Sequence, residues 1–348
     1  AVTDHRGGYL GQALWSPESM ISLRFLTAAK RSVGPWFWRR RLEAAARLRR
    51  RLAPDANAFR LVHAEGDGLP SLIVDRYGDV LVAQLLSAGL ESRRDEVIAG
   101  ILEVFEPAGL LLRNDVPVRR LEGLPLGVEH VFGDVPEHVE VVEGHVRYLA
   151  APWTGQKTGA FLDQRENRMR AGDLARGRAL DCFCYHGSFA LHLARGAREV
   201  VAVDSSGDAL QRAEENAALN DAVRPTFVEA NVFDFLRAEV AEGARYDTIV
   251  VDPPAFAKRK DAVDKAIRGY KEINLQAMQL LSRGGILCTF SCSHHVDRAA
   301  FHEMLRSAAA DSRRLFRWLE WRSAAPDHPE IVQIPETGYL KGAILQAV

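Results

Sequence analysis

The sequence predicts an α/β protein whose carboxy-terminal part is a doubly wound parallel sheet, preceded by a smaller α+β region. Three observations predict it. From Gly177 onward short apolar runs alternate with amphipathic stretches, the pattern of a buried parallel sheet covered by helices. Before that point strand-length runs rich in Val, Ile and Leu are interrupted by a single helix-period stretch. The chain has 348 residues, enough for two or three domains at roughly 150 residues each.

The elements follow in order. Residues 1–29 alternate apolar and polar side chains around Gly7-Gly8 and Ser16-Pro17, which reads as hairpin strands ending at 23–26. Pro35 opens a helix to about Leu52, with Trp36, Trp38, Leu42 and Ala46 among its apolar positions. Strands are expected at 59–62, 72–74, 80–85 and 139–142, with a helix near 91–105. In the second part strands are expected at 179–183, 200–203, 226–228, 248–251 and 286–290. Helices are expected between them near 189–194, 208–219, 232–240 and 261–281.

Composition narrows the function classes. Hydrophobic residues make up 47% and charged residues 26%, an ordinary balance for a soluble globular chain. No apolar run approaches the roughly 20 residues of a membrane helix, which excludes integral membrane roles. The four cysteines, Cys182, Cys184, Cys288 and Cys292, show no CxxC or Cys/His metal spacing and cannot staple a chain of this size. Free thiols and the absence of a basic-then-apolar leader in the residues given point to a cytoplasmic setting.

Charge is distributed unevenly. The total is 45 − 46 = −1, yet residues 1–60 hold 12 Lys/Arg against 4 Asp/Glu, or +8, which leaves −9 for the rest. Arg39, Arg40, Arg41, Arg47, Arg49, Arg50 and Arg51 crowd one short stretch. Clustered arginine suits a phosphate backbone, because it releases condensed counterions; a solvated helix face paired with carboxylates is the alternative.

In a doubly wound sheet, ligands bind beyond the carboxyl ends of the strands. The first strand is followed by Asp181-Cys-Phe-Cys-Tyr-His-Gly-Ser-Phe189, with Tyr185, Gly187 and Phe189 placed to meet a ligand. One glycine is not the GxGxxG that seats a pyrophosphate, so dinucleotides are disfavoured. The second strand ends at Asp204-Ser205, and a carboxylate there can accept from two ribose hydroxyls. A helix cap for the segment near Asp208 is the structural alternative for Asp204. Asn231, after the third strand, is placed for an adenine edge, with turn chemistry as its alternative. A ribose acid, a single glycine and a polar third-strand residue describe a nucleoside without a pyrophosphate, which S-adenosylmethionine satisfies.

The fourth strand runs into Asp252-Pro-Pro-Ala-Phe256, where two prolines force the chain out of the sheet and fix Asp252 at the tip. The fifth runs into Ser291-Cys-Ser-His-His295. If these strands are neighbours, Asp252 and Cys292 share one site. A thiolate adding to cytosine C6 makes C5 a carbon nucleophile toward a methyl sulfonium. A carboxyl can meanwhile hold ring N3 and the exocyclic amine. Cys288 fits a small buried apolar residue better than a nucleophile. His294 and His295 are candidates for proton transfer, though strand-end histidines are commonly incidental.

The segments 60–70, 155–168, Val203-Asp-Ser-Ser206, Asp252-Pro-Pro-Ala-Phe-Ala-Lys258 and Ser291-Cys-Ser-His-His295 together resemble a known family. It comprises class I S-adenosylmethionine-dependent methyltransferases that make 5-methylcytosine in bacterial 23S ribosomal RNA. The resemblance implies a partial PUA RNA-binding domain at 1–30, of which residues 1–29 resemble only the last strands. It further implies a basic linker helix at 31–57, a central α+β domain at 58–150 and a Rossmann-like catalytic domain at 151–348. It implies catalysis by Cys292 with Asp252, and Gln164 close to the cofactor beside Tyr185, Gly187, Phe189, Asp204, Ser205, Asn231 and Asp252. Lys157, Arg165 and Arg168 are then expected near the RNA or the cofactor, and Arg39 and Arg40 join the RNA contacts on charge. No metal is expected; the partner is 23S ribosomal RNA without a membrane, and a homodimer is compatible with the sequence.

Two departures from the family pattern stand out. Ala255 occupies the place where the broader class carries a second cysteine, and Asn231 replaces the usual aspartate. Two other readings compete. A guanine-N2 methyltransferase on the same scaffold needs no thiol, because an exocyclic amine is already nucleophilic. A non-catalytic RNA-binding ribosome-assembly protein would use the basic amino end alone.

Overall fold

The computed structural model describes residues 1–256 and 262–348. These form two compact units, one of residues 1–143, 149–163 and 326–337, the other of 144–148, 164–325 and 338–348.

The first unit opens with an antiparallel three-stranded sheet, β1 (Val2–Thr3), β2 (Tyr9–Trp15) and β3 (Leu23–Thr27). Helix α1 (Pro35–Leu52) follows. Strands β4 (Ala58–His63), β5 (Leu72–Tyr77) and β6 (Val80–Leu85) lead through helices α2 (Ala88–Glu91) and α3 (Arg94–Phe105) into β7 (Gly109–Arg113) and β8 (Val128–Gly133). These five strands make one sheet in chain order, with β6 and β7 parallel and the other pairs antiparallel. Leu14 and Leu26 share a core with Trp38, Leu42, Val62, Leu72 and Leu110. That continuity explains why the compact unit crosses the expected divisions at 30 and 57. Within α1 the apolar stripe differs from expectation: Trp38 and Leu42 are buried, Trp36 is exposed, and Arg49 is buried instead. Its guanidinium bonds to Asp67 and to the carbonyls of Arg60 and Asp327, which pairs a charge that burial would otherwise make costly. Strands β9 (Val139–Glu143) and β10 (Val146–Ala150) complete this stretch of chain.

The second unit starts with α4 (Arg165–Leu174) and then alternates strictly: β11 (Arg178–Cys182), α5 (Ser188–Leu193), β12 (Glu199–Asp204), α6 (Gly207–Ala217), β13 (Thr226–Glu229), α7 (Val232–Glu242) and β14 (Tyr246–Val251). It ends with α8 (Val263–Leu280), β15 (Leu281–Ser291), α9 (Arg298–Asp311), β16 (Phe316–Arg322) and β17 (Lys341–Ala347). Ala257 and Lys258 of the proline motif and Asp261 of the expected 261–281 helix lie outside the described residues. The strands order as β13-β12-β11-β14-β15-β17-β16, all parallel except β17, which runs antiparallel to β15 and β16. Alternate strand residues feed two cores. Leu180, Val203, Ile249 and Leu287 pack with α7, α8 and α9, while Ala179, Ala202, Val250 and Cys288 pack with α4 and α5. This is a doubly wound sheet, whose order reverses between β11 and β14 and opens a ligand crevice there. Among the described residues no helix is long and apolar enough to cross a membrane.

Candidate active site

The loop after β11 carries unusual backbone. Phe183 and Tyr185 both have positive φ, 66° and 50°, as does Gly187 at 84°. A left-handed non-glycine residue costs about 1–2 kcal/mol, and such strain gathers where function demands a shape. The loop is held by the Val203 carbonyl, which accepts from the amides of Phe183 and Cys184 at 2.9 and 3.1 Å. Gly187 leaves little room for a side chain, since a Cβ would sit 3.0 Å from Cβ of Ala213 and 3.3 Å from the Phe227 ring, on a backbone of positive φ. Phe189 turns inward and packs against Phe290, ring centroids 5.5 Å apart. The expectation that it meets cofactor is therefore corrected: an aromatic side chain this apolar is drawn into the core beneath the loop.

Asp204 sits half-buried at the end of β12. Its Oδ2 accepts from the Tyr185 amide at 2.9 Å and its Oδ1 from the Ser206 amide at 3.0 Å. The helix cap belongs to Ser206, whose Oγ accepts from the Ala209 amide. Asp204 thus ties two strand-end loops together and keeps further lone pairs for a diol; Ser205 beside it is exposed. Asn231 is the N-cap of α7, its Oδ1 accepting from the Phe233 and Asp234 amides. The acceptor expected to face adenine is spent on the helix, because an orphan amide pair at a helix start is the nearer partner.

Asp181, at the penultimate position of β11, is a residue that sequence reasoning misses. It is fully buried, with no side-chain hydrogen-bond partner among the described residues and the Ala190 amide beside it. Burial, then the charge of Asp252, pushes its carboxyl well above the usual carboxylate range. A buried carboxyl without a side-chain partner, a strained loop and a half-buried carboxylate at adjacent strand tips fit a cationic amino-acid nucleoside. Substituting Asp204 by alanine should weaken S-adenosylmethionine binding at least about tenfold, two charge-assisted bonds being lost. Unchanged affinity by calorimetry would remove the ribose assignment.

Asp252 follows β14 directly, with its Oδ1 accepting from Gln164 Nε2 at 2.9 Å. Gln164 Oε1 accepts from Asn167 Nδ2 at 2.6 Å, and Asn167 Oδ1 accepts from Arg322 Nε at 2.9 Å. A buried chain of polar groups thus runs from a guanidinium to the Asp252 carboxylate and fixes its orientation. Cys292, just beyond β15, is half-buried, and its Sγ lies 4.0 Å from the Pro253 carbonyl oxygen. The structure therefore brings Cys292 and the Asp252-Pro253 turn together, as adjacent strands require. Phe256 does not face this turn as a stacking ring; it packs on Tyr270 and Phe233, centroids 4.7 and 5.9 Å away.

Lys341 is a second residue without a sequence signal. It lies opposite Ser291 in the β15–β17 pairing and is only 5% exposed. Its Nζ donates to the carbonyls of Ser293 at 2.6 Å and Tyr339 at 2.8 Å, pinning the Cys292 turn. Burial pulls its pKa down to about 8, opposed by attraction from Cys292 and Asp297. Partial desolvation, then the charge of Lys341, likewise holds His294 below the usual histidine range. The other thiols are unsuited to chemistry: burial raises Cys182 and Cys184 well above normal and Cys288 to about 12.

The basic residues divide differently from expectation. Arg165 and Arg168 are buried, Arg168 lying over the Tyr148 ring at 5.7 Å, so burial withdraws both from RNA contact. Within the first unit Lys157 pairs with Asp163 at 2.6 Å and lies over Phe161. Arg39 is neutralised by Glu43 and Glu103 at 3.0 and 2.7 Å. Among the described residues no group of three His, Cys, Asp or Glu could hold a metal ion.

Known proteins resemble this chain in sequence and in fold. A family profile of S-adenosylmethionine-dependent methyltransferases matches residues 124–341. Ribosomal RNA large subunit methyltransferase I of Tolumonas auensis is 41% identical, covering 100% of this chain and 90% of the relative. The protein of the same name from Shewanella frigidimarina is 40% identical, covering 99% and 88%. A crystallised methyltransferase complexed with S-adenosylhomocysteine superposes with a TM-score of 0.85 at 22% identity, covering 98% of this chain and 89% of that one. That likeness establishes a Rossmann-like class I fold. The full-length identity and the profile together make the chain a member of the S-adenosylmethionine-dependent ribosomal RNA large subunit methyltransferase I family.

Proposed function

We propose that this enzyme methylates C5 of a cytosine in 23S ribosomal RNA through a covalent adduct of Cys292 at C6. The relatives' name supplies the large-subunit RNA; the juxtaposition of Cys292 with the Asp252-Pro253 turn supplies the chemistry. When bound, S-adenosylmethionine contributes an electrophilic methyl group on a sulfonium. Asp204 and the 183–187 loop would hold its ribose, and Asp181 its charged end. Cys292 Sγ, as thiolate, forms a bond to C6 and drives the ring electrons onto C5. Asp252 holds N3 and the exocyclic amine while negative charge spreads into the ring. After methyl transfer the C5 proton leaves and the C6–S bond breaks, which regenerates the thiolate. Ala255 supplies no second thiol for that elimination, and the three other cysteines are buried. His294, beyond the same strand tip and with its pKa held below the usual histidine range by desolvation, is the group this reading assigns to take the proton.

Three further assignments belong to this reading. Strands β1 to β3 are the closing strands of a PUA domain. The α1 arginines that remain exposed contact RNA. The enzyme works in the cytoplasm, where ribosomes assemble. RNA carrying 5-fluorocytosine tests the mechanism, because fluorine cannot leave C5 as a proton does. The expected result is a stable protein–RNA adduct detected as a mass shift; turnover on normal RNA without any adduct would overturn the C6-addition mechanism.

A further inference from the structure

Helix α1 buries one face and offers another. Phe37, Trp38, Leu42, Ala45 and Arg49 point into the core, which leaves positions 36, 40 and 47 along the opposite stripe. With the 27–32 segment, that stripe encloses a hollow of about 270 Å³ lined by Thr27, Arg31, Trp36, Arg40, Arg41 and Arg47, among others. Trp36 is 52% exposed, a large apolar ring presented to water. The Arg40 guanidinium lies 4.9 Å from the Trp36 ring centre and that of Arg31 5.8 Å. Arg41 lies over Phe37 at 5.5 Å and donates to the Leu26 carbonyl at 3.3 Å.

The charges here are not compensated as they are elsewhere on the helix. Arg39 and Arg49 have carboxylate partners within 3.0 Å. Among the described residues, Arg31, Arg40 and Arg41 form no ion pair with a carboxylate, and Arg47 reaches Glu43 only at 4.0 Å. Three like charges without carboxylate partners in one hollow repel one another unless an anion sits among them. The indole adds a flat face, and arginine adds forked donors matched to phosphate.

We propose that this hollow is a nucleotide subsite for single-stranded RNA, in which a base stacks on Trp36 and flanking phosphates pair with Arg31, Arg40 and Arg41. It rests on the RNA-methyltransferase reading above and names where that substrate is gripped away from the reacting base. The test is filter binding of the full chain to a 23S ribosomal RNA transcript, together with methylation kinetics. Trp36→Ala should lose about 5- to 150-fold in affinity, the scale of one base–aromatic stack. Trp36→Phe should recover most of it. The double substitution Arg31→Ala with Arg40→Ala should flatten the dependence of log K on log salt by about 0.7 for each phosphate left without its arginine. In both alanine variants KM should rise while kcat at saturating RNA and the thermal midpoint stay at wild-type values. Unchanged affinity and salt slope in both Ala variants would overturn the subsite while the methyltransferase reading stands. A wild-type chain that neither binds nor methylates the transcript would overturn that reading instead. Binding to phosphatidylserine vesicles that is lost in Trp36→Ala, with RNA affinity intact, would assign the hollow to a membrane surface and refute the proposal.

Discussion

Cys292→Ala should abolish methyl transfer, with a fall in kcat of at least about 10⁴-fold, the scale on which loss of a covalent nucleophile is felt. The substitution removes one sulfur atom from a half-buried position, so stability should change by about 1 kcal/mol or less. Cofactor affinity should stay near wild type, because Asp204 and the 183–187 loop belong to other strands. Incorporation of labelled methyl into RNA, read beside calorimetric binding of S-adenosylmethionine, separates these effects. Turnover retained in the variant would place the methyl on an exocyclic amine, where no thiol is required.

Asp252 should show the second-largest loss. Alanine there deletes the group proposed to steady the developing ring charge, which predicts a drop of about 10²- to 10³-fold in kcat. It also strands the Gln164 amide, which is buried and donates to Asp252 Oδ1. An orphaned buried donor costs about 1–3 kcal/mol, so the thermal midpoint should fall as well. Asp252→Asn divides the two roles: its carbonyl oxygen still accepts from Gln164, so folding should survive while turnover remains low. Near-normal activity of the asparagine variant would show that the negative charge is dispensable.

The doubly wound sheet is legible because apolar strands and amphipathic helices alternate without interruption from 178 to 291, and the proline pair at 253–254 marks the end of β14. Asp252 and Cys292 follow from those strand ends alone. Helix α4 escapes the pattern because the face it buries is polar, made of Arg165, Asn167 and Arg168 with Ala171. Arg168 and Asn231 carry chemistry that suits a ligand, but in the fold Arg168 lies over the Tyr148 ring and Asn231 caps α7, contacts that sequence spacing does not reveal. Strand β16 hides as a solvent-facing edge with three aromatic residues, Phe316, Trp318 and Trp321. Lys341 could not be foreseen, since its partner carbonyl on Ser293 lies 48 positions away in sequence and only the β15–β17 register unites them. Asp181 stands in plain view, yet its isolation is a property of what surrounds it.

Strand β17 lies between β15 and β16 and delivers the Lys341 ammonium to the Cys292 turn. While the polypeptide is being translated, the Cys292 turn leaves the ribosome before the strand that braces it exists. A nascent chain therefore carries the Cys292 thiol in a turn without that brace, on a sheet missing its internal antiparallel member. The brace forms only once residues 341–347 pair with β15.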